Sequence, residues 1–478
     1  MPEMNRLGKR IRALRRRERI TQVALAERLE ISASYLNLIE HDRRPLSASL
    51  LIKLAHLYDL DLKAFGGGED AKLMANLMEV LGDPLFEDHT LTRRDVQDFV
   101  TGNPDVARAV LYLYHSYELA RGSAETLAER VLDRQEFTGL DRVRLSTEQV
   151  SDVIQAHLNH FPELEEAAEK LWRDAQLEGE DLFVGLSRYL RTAHGVRVRI
   201  VKVGAMGRAL RVFQRERSEL ILSEALRRGS RNFQLAHQVG LLTCSETLDR
   251  ISQNSQLTSD ESRALCRIAL ANYFAAAVLM PYDGFLRAAQ EERYDLDLLC
   301  HRFRASFEQV CHRLTTLRRK GAEGVPFHMV RVDIAGNISK KYSGSGIHFP
   351  RFSGLCPLWN VHAAFQRPGM IRVQLSRLPD GTAFFSVART VRKHRGGYHA
   401  PDVLHSIGLG CDLESARKLV YADGIDLGNL TAALPVGVTC RLCERVDCQA
   451  RAFPPVQKPL KVDENVRGVS FYSPVSET

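Results

Sequence analysis

Residues 29–40, Leu29-Glu-Ile-Ser-Ala-Ser-Tyr-Leu-Asn-Leu-Ile-Glu40, decide the fold of the N-terminal region. Ser32 predicts the start of a helix, because its hydroxyl can accept a hydrogen bond from a backbone N–H of the first turn. Thr21 predicts the start of a preceding helix that runs to Leu29. Apolar side chains at helical spacing can close one small core, formed by Leu25, Leu29, Ile31, Leu36 and Ile39. Two short helices around one core predict a helix-turn-helix.

This predicted core leaves the start of the second helix exposed. In DNA-binding helix-turn-helix proteins the N-terminal side chains of that helix contact base edges in the major groove. Side chains and amides at the start of the first helix commonly contact phosphate. The predicted DNA-binding residues are Gln22, Ser32, Ala33, Ser34, Tyr35 and Asn37, with Arg43 and Arg44 on the flanking backbone. A helical protein-interaction domain is the alternative for this pattern.

The first 60 residues resemble the lambda-repressor-like, XRE-type helix-turn-helix. The resemblance is carried by Leu7-Gly-Lys-Arg-Ile-Arg, Thr21-Gln22, Ala26, Ser34-Tyr35-Leu36 and Ile39-Glu40. It implies binding to double-stranded operator DNA, usually as a homodimer on two half-sites about one helical turn apart.

The positive charge of the chain is concentrated at its start. The 478 residues carry a formal net charge of +7, and residues 1–65 contain 13 Lys or Arg against 8 Asp or Glu. A local basic excess attracts the phosphate backbone of DNA through counterion release. The N-terminal residues contain no apolar signal segment, and no run of about 20 uncharged apolar residues is long enough to span a bilayer. We therefore predict a cytoplasmic protein without membrane contact.

Composition divides the chain into four regions and predicts a multidomain fold, mainly α with α+β. Residues 1–66 form the all-α helix-turn-helix domain. Residues 67–149 are rich in Leu, Ala, Glu and Arg and predict a helical connector that could carry a dimer interface. Residues 150–320 mix helices with short strands in an α+β domain. Residues 321–478 are rich in β-formers, and the turn Asp380-Gly381 predicts a hairpin in an antiparallel sheet.

Residues 232–242, Asn-Phe-Gln-Leu-Ala-His-Gln-Val-Gly-Leu-Leu, resemble the zinc helix of ImmA/IrrE-type metallopeptidases. In that helix, H-E-x-x-H, two His hold zinc and the Glu activates water. Here His237 remains, but Gln238 replaces the Glu and Leu241 replaces the second His. The resemblance places the third ligand at Ile268, whose side chain binds no cation. We therefore predict no enzyme activity, no catalytic residue, and a structural role for His237.

The densest chemical signal is Cys440-Arg-Leu-Cys443-Glu-Arg-Val-Asp-Cys448. Disulfides are not expected in a reducing cytosol. Four cysteines suit either structural zinc or an iron–sulfur cluster, and their spacing does not separate the two. The fourth predicted ligand is Cys411, with Cys356 as the alternative. Free thiols in a packed tail are the remaining interpretation.

Taken together, these regions resemble the short-chain fatty acid transcriptional regulators over nearly the whole chain. Such regulators join an XRE-type head, a degenerate ImmA/IrrE-like middle and a cysteine-rich C-terminal domain. The matching stretches are Cys356-Pro-Leu-Trp359-Asn-Val-His362, Ala388-Arg-Thr-Val391 and residues 439–455. The resemblance implies regulation of propionate or acetate metabolism and a short acyl-CoA, such as propionyl-CoA, as effector. It also implies a 4Fe–4S cluster held by cysteines in some members.

An acyl-CoA needs an apolar slot for its acyl group and cations for its phosphates. The predicted ligand-binding residues are Trp359, His362 and Phe365 for the first, and Arg389, Arg392, Lys393 and Arg395 for the second. A solvated basic loop is the alternative for that basic run. The alternative functions are an iron–sulfur redox sensor and, third, a zinc metallopeptidase.

Overall fold

The computed structural model describes residues 11–12, 15, 20–41, 44, 50, 53–54, 57, 68–86, 91–133, 140–177, 181–207, 209–350, 354–393, 399, 402–440, 443–445 and 448–453. The chain divides into two compact units, one formed mainly by Met1–Glu136 and the other mainly by Phe137–Ala452.

Every secondary-structure element described in the first unit is a helix. Its helices are α1 (Gln22–Arg28), α2 (Ala33–Glu40), α3 (Gly68–Val80), α4 (Arg93–Gly102) and α5 (Pro104–Asp133). Helix α4 starts at a capping box, in which Thr92 and Asp95 exchange side chain to backbone hydrogen bonds. Helices α3, α4 and α5 pack against one another. The predicted helical connector is therefore confirmed as a group of packed helices.

In the residues described, the first part of the second unit contains a small sheet and nine helices. They are α6 (Leu140–Ala156), α7 (Pro162–Asp174), α8 (Leu182–His194), α9 (Arg228–Thr243), α10 (Ser245–Ser252), α11 (Asp260–Leu279), α12 (Tyr282–Glu291), α13 (Leu296–Phe303) and α14 (Phe307–Leu314). Among the residues described, α11 alone is long and apolar enough to cross a membrane by length and composition, and 61% of its apolar window is buried inside the protein. It packs against α6, α7 and α9 as a core helix.

The small sheet contains β1 (Arg197–Val201), β2 (Arg211–Gln214) and β3 (Glu219–Ser223) in the order β1-β3-β2. Strand β3 is parallel to β1 and antiparallel to β2. Leu220 and Leu222 of β3 are fully buried in the core shared with the helices. These strands are the short strands predicted for residues 150–320.

The C-terminal part of the second unit is a six-stranded sheet in the order β5-β4-β8-β7-β6-β9. Its strands are β4 (His328–Asp333), β5 (Ile338–Ser343), β6 (Arg372–Arg377), β7 (Ala383–Lys393), β8 (Val403–Asp412) and β9 (Leu434–Pro435), with short helices α15 (Asn360–Ala363) and α16 (Leu413–Ala416) beside it. All pairings are antiparallel except that of β6 with β9. The predicted hairpin is confirmed, and Gly381 in its turn has a φ of 90°, which favours glycine.

The two faces of this sheet pack against different cores. Phe385, Val387, Ile407 and Leu409 face the helices α6–α14 and join the large core. Residues one position along these strands, such as Phe384, face the opposite side and pack with Trp359 in a second core. Because side chains alternate along a strand, this assignment fixes the face of every neighbouring residue.

Candidate functional site

The helix-turn-helix is closed by two hydroxyl caps. The Thr21 hydroxyl accepts a hydrogen bond from the Ala24 N–H at 3.2 Å. The Ser32 hydroxyl accepts one from the Tyr35 N–H at 3.1 Å. Each cap satisfies an N–H that has no partner inside its helix. Buried residues from both helices form the small core, including Leu25, Ala26, Leu29, Leu36 and Ile39.

The predicted DNA-binding residues fall into two groups. Ser32, Ser34 and Asn37 are exposed, so their side chains can reach a partner. Ala33 and Tyr35 are half-buried against the small core. The exposed pair Ser34 and Asn37 lies on one side of α2, three residues apart, as a base-reading surface requires.

Gln22 joins the two helices of the motif. Its Nε2 donates to Asn37 Oδ1 at 3.2 Å and to Glu40 Oε2 at 3.0 Å. Gln22 therefore holds Asn37 in position beside the exposed face. The Arg44 guanidinium lies 5.6 Å from the centre of the Tyr35 ring, and Arg43 lies outside the described residues.

The ion pair between Arg15 and Glu40 was missed by the sequence analysis. Glu40 is 1% exposed, and its two carboxylate oxygens accept from Arg15 Nε at 2.7 Å and Nη2 at 3.0 Å. A bidentate pair of this kind fixes Arg15 against the end of α2. The only sign of this pair in the sequence is that Glu40 is a charged residue at the end of an otherwise apolar pattern.

In the peptidase-like domain, a guanidinium contacts the surviving histidine. Arg211 on β2 donates from Nη1 to His237 Nδ1 at 2.8 Å and to Gln238 Oε1 at 3.1 Å. Because arginine can only donate, Nδ1 accepts, and the neutral ring carries its proton on Nε2. Burial, and then the charge of Arg211, lowers the pKa of His237 to about 3. Neither ring nitrogen of the neutral His237 keeps a lone pair for a metal ion.

The other zinc positions offer no replacement ligand. Leu241 packs against the large core, and Ile268 is 46% exposed. His237 instead accepts a hydrogen bond from Arg211, an interaction that no peptidase motif indicates, and its structural role stays a prediction.

The predicted cysteine ligands occupy two different places. Cys411 on β8 faces the helices inside the large core, and burial raises its pKa far above the ordinary value. Cys356 belongs to the second core. Two more buried thiols, Cys440 and Cys443, are close enough that their charge raises the pKa of Cys356. Strand alternation thus separates Cys411 from the other predicted ligands, and the alternative, Cys356, is the thiol that joins them.

Backbone N–H groups surround these sulfurs. Burial raises the pKa of Cys356, and N–H donors from Gly437 and Leu358 oppose that rise. The Ala452 N–H donates to Cys440 Sγ at 3.4 Å. The donor set therefore fits a thiolate-bound zinc or cluster. In the part of the chain that the structure describes, however, no three His, Cys, Asp or Glu side chains form a ready-made metal site, so a bound group would have to draw the thiols together.

The predicted acyl-CoA residues also divide between the two faces of the sheet. Trp359 is buried in the second core, where its Nε1 donates to the Gly437 carbonyl at 2.8 Å, and Phe365 packs beside that core. His362 is half-buried nearby. Of the basic run, Arg389 pairs with Asp297, Arg392 lies 3.5 Å from Asp402, and Arg395 falls outside the residues described. Arg389 and Lys393 face the side opposite Trp359 and Phe365, whereas Arg392, by strand alternation, faces the same side as Trp359.

Lys393 belongs to a charge cluster that the sequence analysis missed. Glu308 on α14 is 8% exposed and contacts three cations: Arg331 at 2.7 Å, Lys340 at 3.2 Å and Lys393 at 2.5 Å. Burial alone would raise the pKa of Glu308, but these cations hold it well below its usual value. One carboxylate facing three cations leaves a local positive excess. Only the tertiary structure brings α14, β4, β5 and β7 to one point.

Three regions of the chain match known domain families. A helix-turn-helix domain matches residues 6–64, and the IrrE N-terminal-like domain of M78 peptidases matches residues 191–315. Residues 316–472 match the C-terminal domain of the short-chain fatty acyl coenzyme A regulators. These matches, together with the exposed face of α2, define the protein as a transcriptional regulator of the helix-turn-helix class.

Similar proteins cover almost the whole chain. It is 38% identical to the HTH-type transcriptional regulator RamB of Mycobacterium tuberculosis, over 98% of both chains. It is 37% identical to PrpR of the same species, over 98% of this chain and 96% of that one. It is 38% identical to the propionyl-CoA carboxylase regulator of Cereibacter sphaeroides, over 97% and 98%. The chain therefore belongs to the short-chain fatty acyl-coenzyme A regulator family.

A solved structure shares this fold. It is described as a Mycobacterium tuberculosis transcriptional regulator, and it matches with a TM-score of 0.65 at 39% identity. The match covers 69% of this chain and 99% of that one.

Proposed function

We propose that this protein regulates propionate or acetate metabolism genes in the cytoplasm, in response to a short acyl-CoA such as propionyl-CoA. The names of the relatives support the metabolic assignment. The observation that carries the effector is the positive excess around Glu308. We propose no peptidase activity, because Arg211 donates to the histidine that a zinc ion would need.

The cluster around Glu308 suits the phosphates of coenzyme A. Lys340 and Lys393 are 48% and 40% exposed, so an incoming anion can reach both ammonium groups. Glu308 already holds them close together, which lowers the entropic cost of binding. Trp359 and Phe365 stabilise the core on the other face of the sheet, and we assign them no part in this phosphate site.

Neighbouring residues of β7 provide a matched test of the effector site. We expect Lys393→Gln and Lys340→Gln each to weaken binding of propionyl-CoA by about 10-fold, the effect of losing one hydrogen bond to a charged group. Arg392→Gln removes the same charge on the opposite face and should leave the affinity unchanged. Calorimetric titration of the full chain measures all three. Equal affinity for propionyl-CoA in every variant would contradict the site.

Effector binding should also change DNA binding. A coupling of about 1–3 kcal/mol corresponds to a 5- to 150-fold change in operator affinity. Operator duplexes can be selected from a random pool with the full protein and then titrated with and without propionyl-CoA or acetyl-CoA. Equal operator affinity with and without every short acyl-CoA would contradict the proposed response.

A second candidate function, a metal- or cluster-based sensor, is favoured by the grouping of Cys356, Cys440 and Cys443. We propose that these thiols, with Cys448, hold zinc or a 4Fe–4S cluster. Anaerobic purification with iron, sulfide and zinc analysis tests this. We expect Cys356→Ser to lose the bound group and Cys411→Ser, in the other core, to retain it. A metal-free wild type, or equal loss in both variants, would exclude the proposal.

We also propose that the protein binds its operator as a homodimer through α5. Val106, Leu113 and Tyr117 are 50%, 69% and 37% exposed, and their spacing places them on one face of the helix. An exposed apolar stripe of this kind marks an interaction surface. Sedimentation should show a dimer for the wild type and a monomer for Leu113→Glu. Tyr112→Glu, on a different face, should remain dimeric; a Leu113→Glu dimer would contradict the interface.

A further inference from the structure

The three-stranded sheet and its flanks carry a second concentration of positive charge. Residues 191–231 contain eleven Lys or Arg and three Asp or Glu, which is a net charge of +8. The whole chain carries only +7. Residues 1–65 contribute +5 of their own, so the rest of the protein is negative. The helix-turn-helix and this sheet are therefore two segments of the chain with a large net positive charge.

Most of these cations are exposed at the edges of the sheet. Arg197 on β1 is next to the β2–β3 turn, because its N–H donates to the Ser218 carbonyl at 2.9 Å. Arg215 and Arg217 lie in that turn, and both are exposed. Lys202, after the end of β1, and Arg227, before α9, are exposed at the other end. With about 3.3 Å per residue, β1 separates the two ends by roughly 15 Å.

These five cations lack ionic partners in the part of the chain that the structure describes. The ion pairs of this region belong to other residues, Arg199 with Glu219 and Arg228 with Asp181. Other exposed arginines of the second unit do have acidic partners, as with Arg250 and Glu163, Arg293 and Asp423, and Arg302 and Glu291. Unpaired like charges in one region raise the electrostatic energy of the free protein, and an anionic partner relieves it.

We propose that this basic sheet, defined by Arg197, Lys202, Arg215, Arg217 and Arg227, binds the phosphate backbone of duplex DNA as a second, sequence-independent contact. A small phosphorylated ligand needs a concave site with convergent groups. These cations instead lie about 15 Å apart on strand edges and turns, a distance that covers several phosphates of one DNA strand. The inference stands independently of the effector, and it adds a DNA contact outside the helix-turn-helix.

The salt dependence of DNA binding tests this contact. We expect the triple variant Arg197→Gln, Arg215→Gln, Arg217→Gln to lower the slope of log affinity against log salt by about 2.7, which corresponds to three lost phosphate contacts. Its preference for operator over random duplex should be retained. The control variant Arg250→Gln, Arg293→Gln, Arg302→Gln changes the net charge equally at paired positions and should keep the slope of the wild type.

Three outcomes would overturn the proposal. One is an unchanged slope in a triple variant whose unfolding temperature matches the wild type. Another is an equal fall in the slope of both triple variants, which would show an effect of net charge alone. The third is weaker propionyl-CoA binding with an unchanged DNA slope, which would make the sheet a small-molecule site.

Discussion

Arg211 Nη1 lies 2.8 Å from Nδ1 of His237, the histidine that remains from the zinc-helix pattern. The contact places a fixed positive charge beside the ring. A protonated His237 would meet like charge in a buried setting, so the ring stays neutral.

This contact predicts a pH dependence of stability. The pKa of His237 falls to about 3 in the folded protein, below the unfolded value of about 6.5. As pH falls below the unfolded pKa, the unfolded state takes up a proton that the folded state does not. Stability is therefore lost between about pH 6.5 and 3. The loss from this residue reaches about 2 kcal/mol at pH 5.

Denaturant unfolding at pH 7 and pH 5 measures the effect. We expect His237→Gln to shrink the difference between the two pH values, since the Gln oxygen can still accept from Arg211 but does not titrate. His301→Gln, at an exposed position, should leave the difference as it is in the wild type. A His237→Gln protein with the full wild-type pH dependence would show that this histidine does not titrate as described.

The helix-turn-helix should depend on Glu40. Glu40→Gln removes the charge that pairs with Arg15 in a buried position, which costs about 3 kcal/mol. Glu30→Gln removes an equal charge from the exposed pair with Lys53 and should not change the unfolding of the N-terminal domain. Thermal unfolding followed by circular dichroism compares them, and equal stability of the two variants would contradict the role of Glu40.

Local patterns in the sequence predicted the helix-turn-helix, the connector helices, the strands and the hairpin at Gly381, because each depends on neighbours along the chain. The contacts of Arg211 with His237 and of Lys393 with Glu308 were not predictable. Each joins elements that are distant in sequence, and a guanidinium or ammonium group gives no local sign of its partner. For the same reason the sequence did not predict which face of the sheet Cys411 is on, because that depends on the strand register.

Packing around α9 predicts a contrast between two helical glycines. A Cβ at Gly240 would lie 2.7 Å from Phe274 Cδ1, whereas a Cβ at Gly284 meets nothing within 4 Å. We expect Gly240→Ala to destabilise the second unit by about 1–3 kcal/mol through overpacking. Gly284→Ala should stabilise it by up to about 1 kcal/mol through helix propensity. Unfolding midpoints of the full chain test the pair, and a stabilised Gly240→Ala would rule out the contact.

The central claim is that the exposed side chains of α2 read DNA. The most direct measurement is the affinity of the double variant Ser34→Ala, Asn37→Ala for a selected operator and for random duplex. Each lost base contact costs about 1–3 kcal/mol, so we predict that operator affinity falls by at least 20-fold while random-duplex affinity changes little. Wild-type operator affinity in a correctly folded double variant would contradict the assignment.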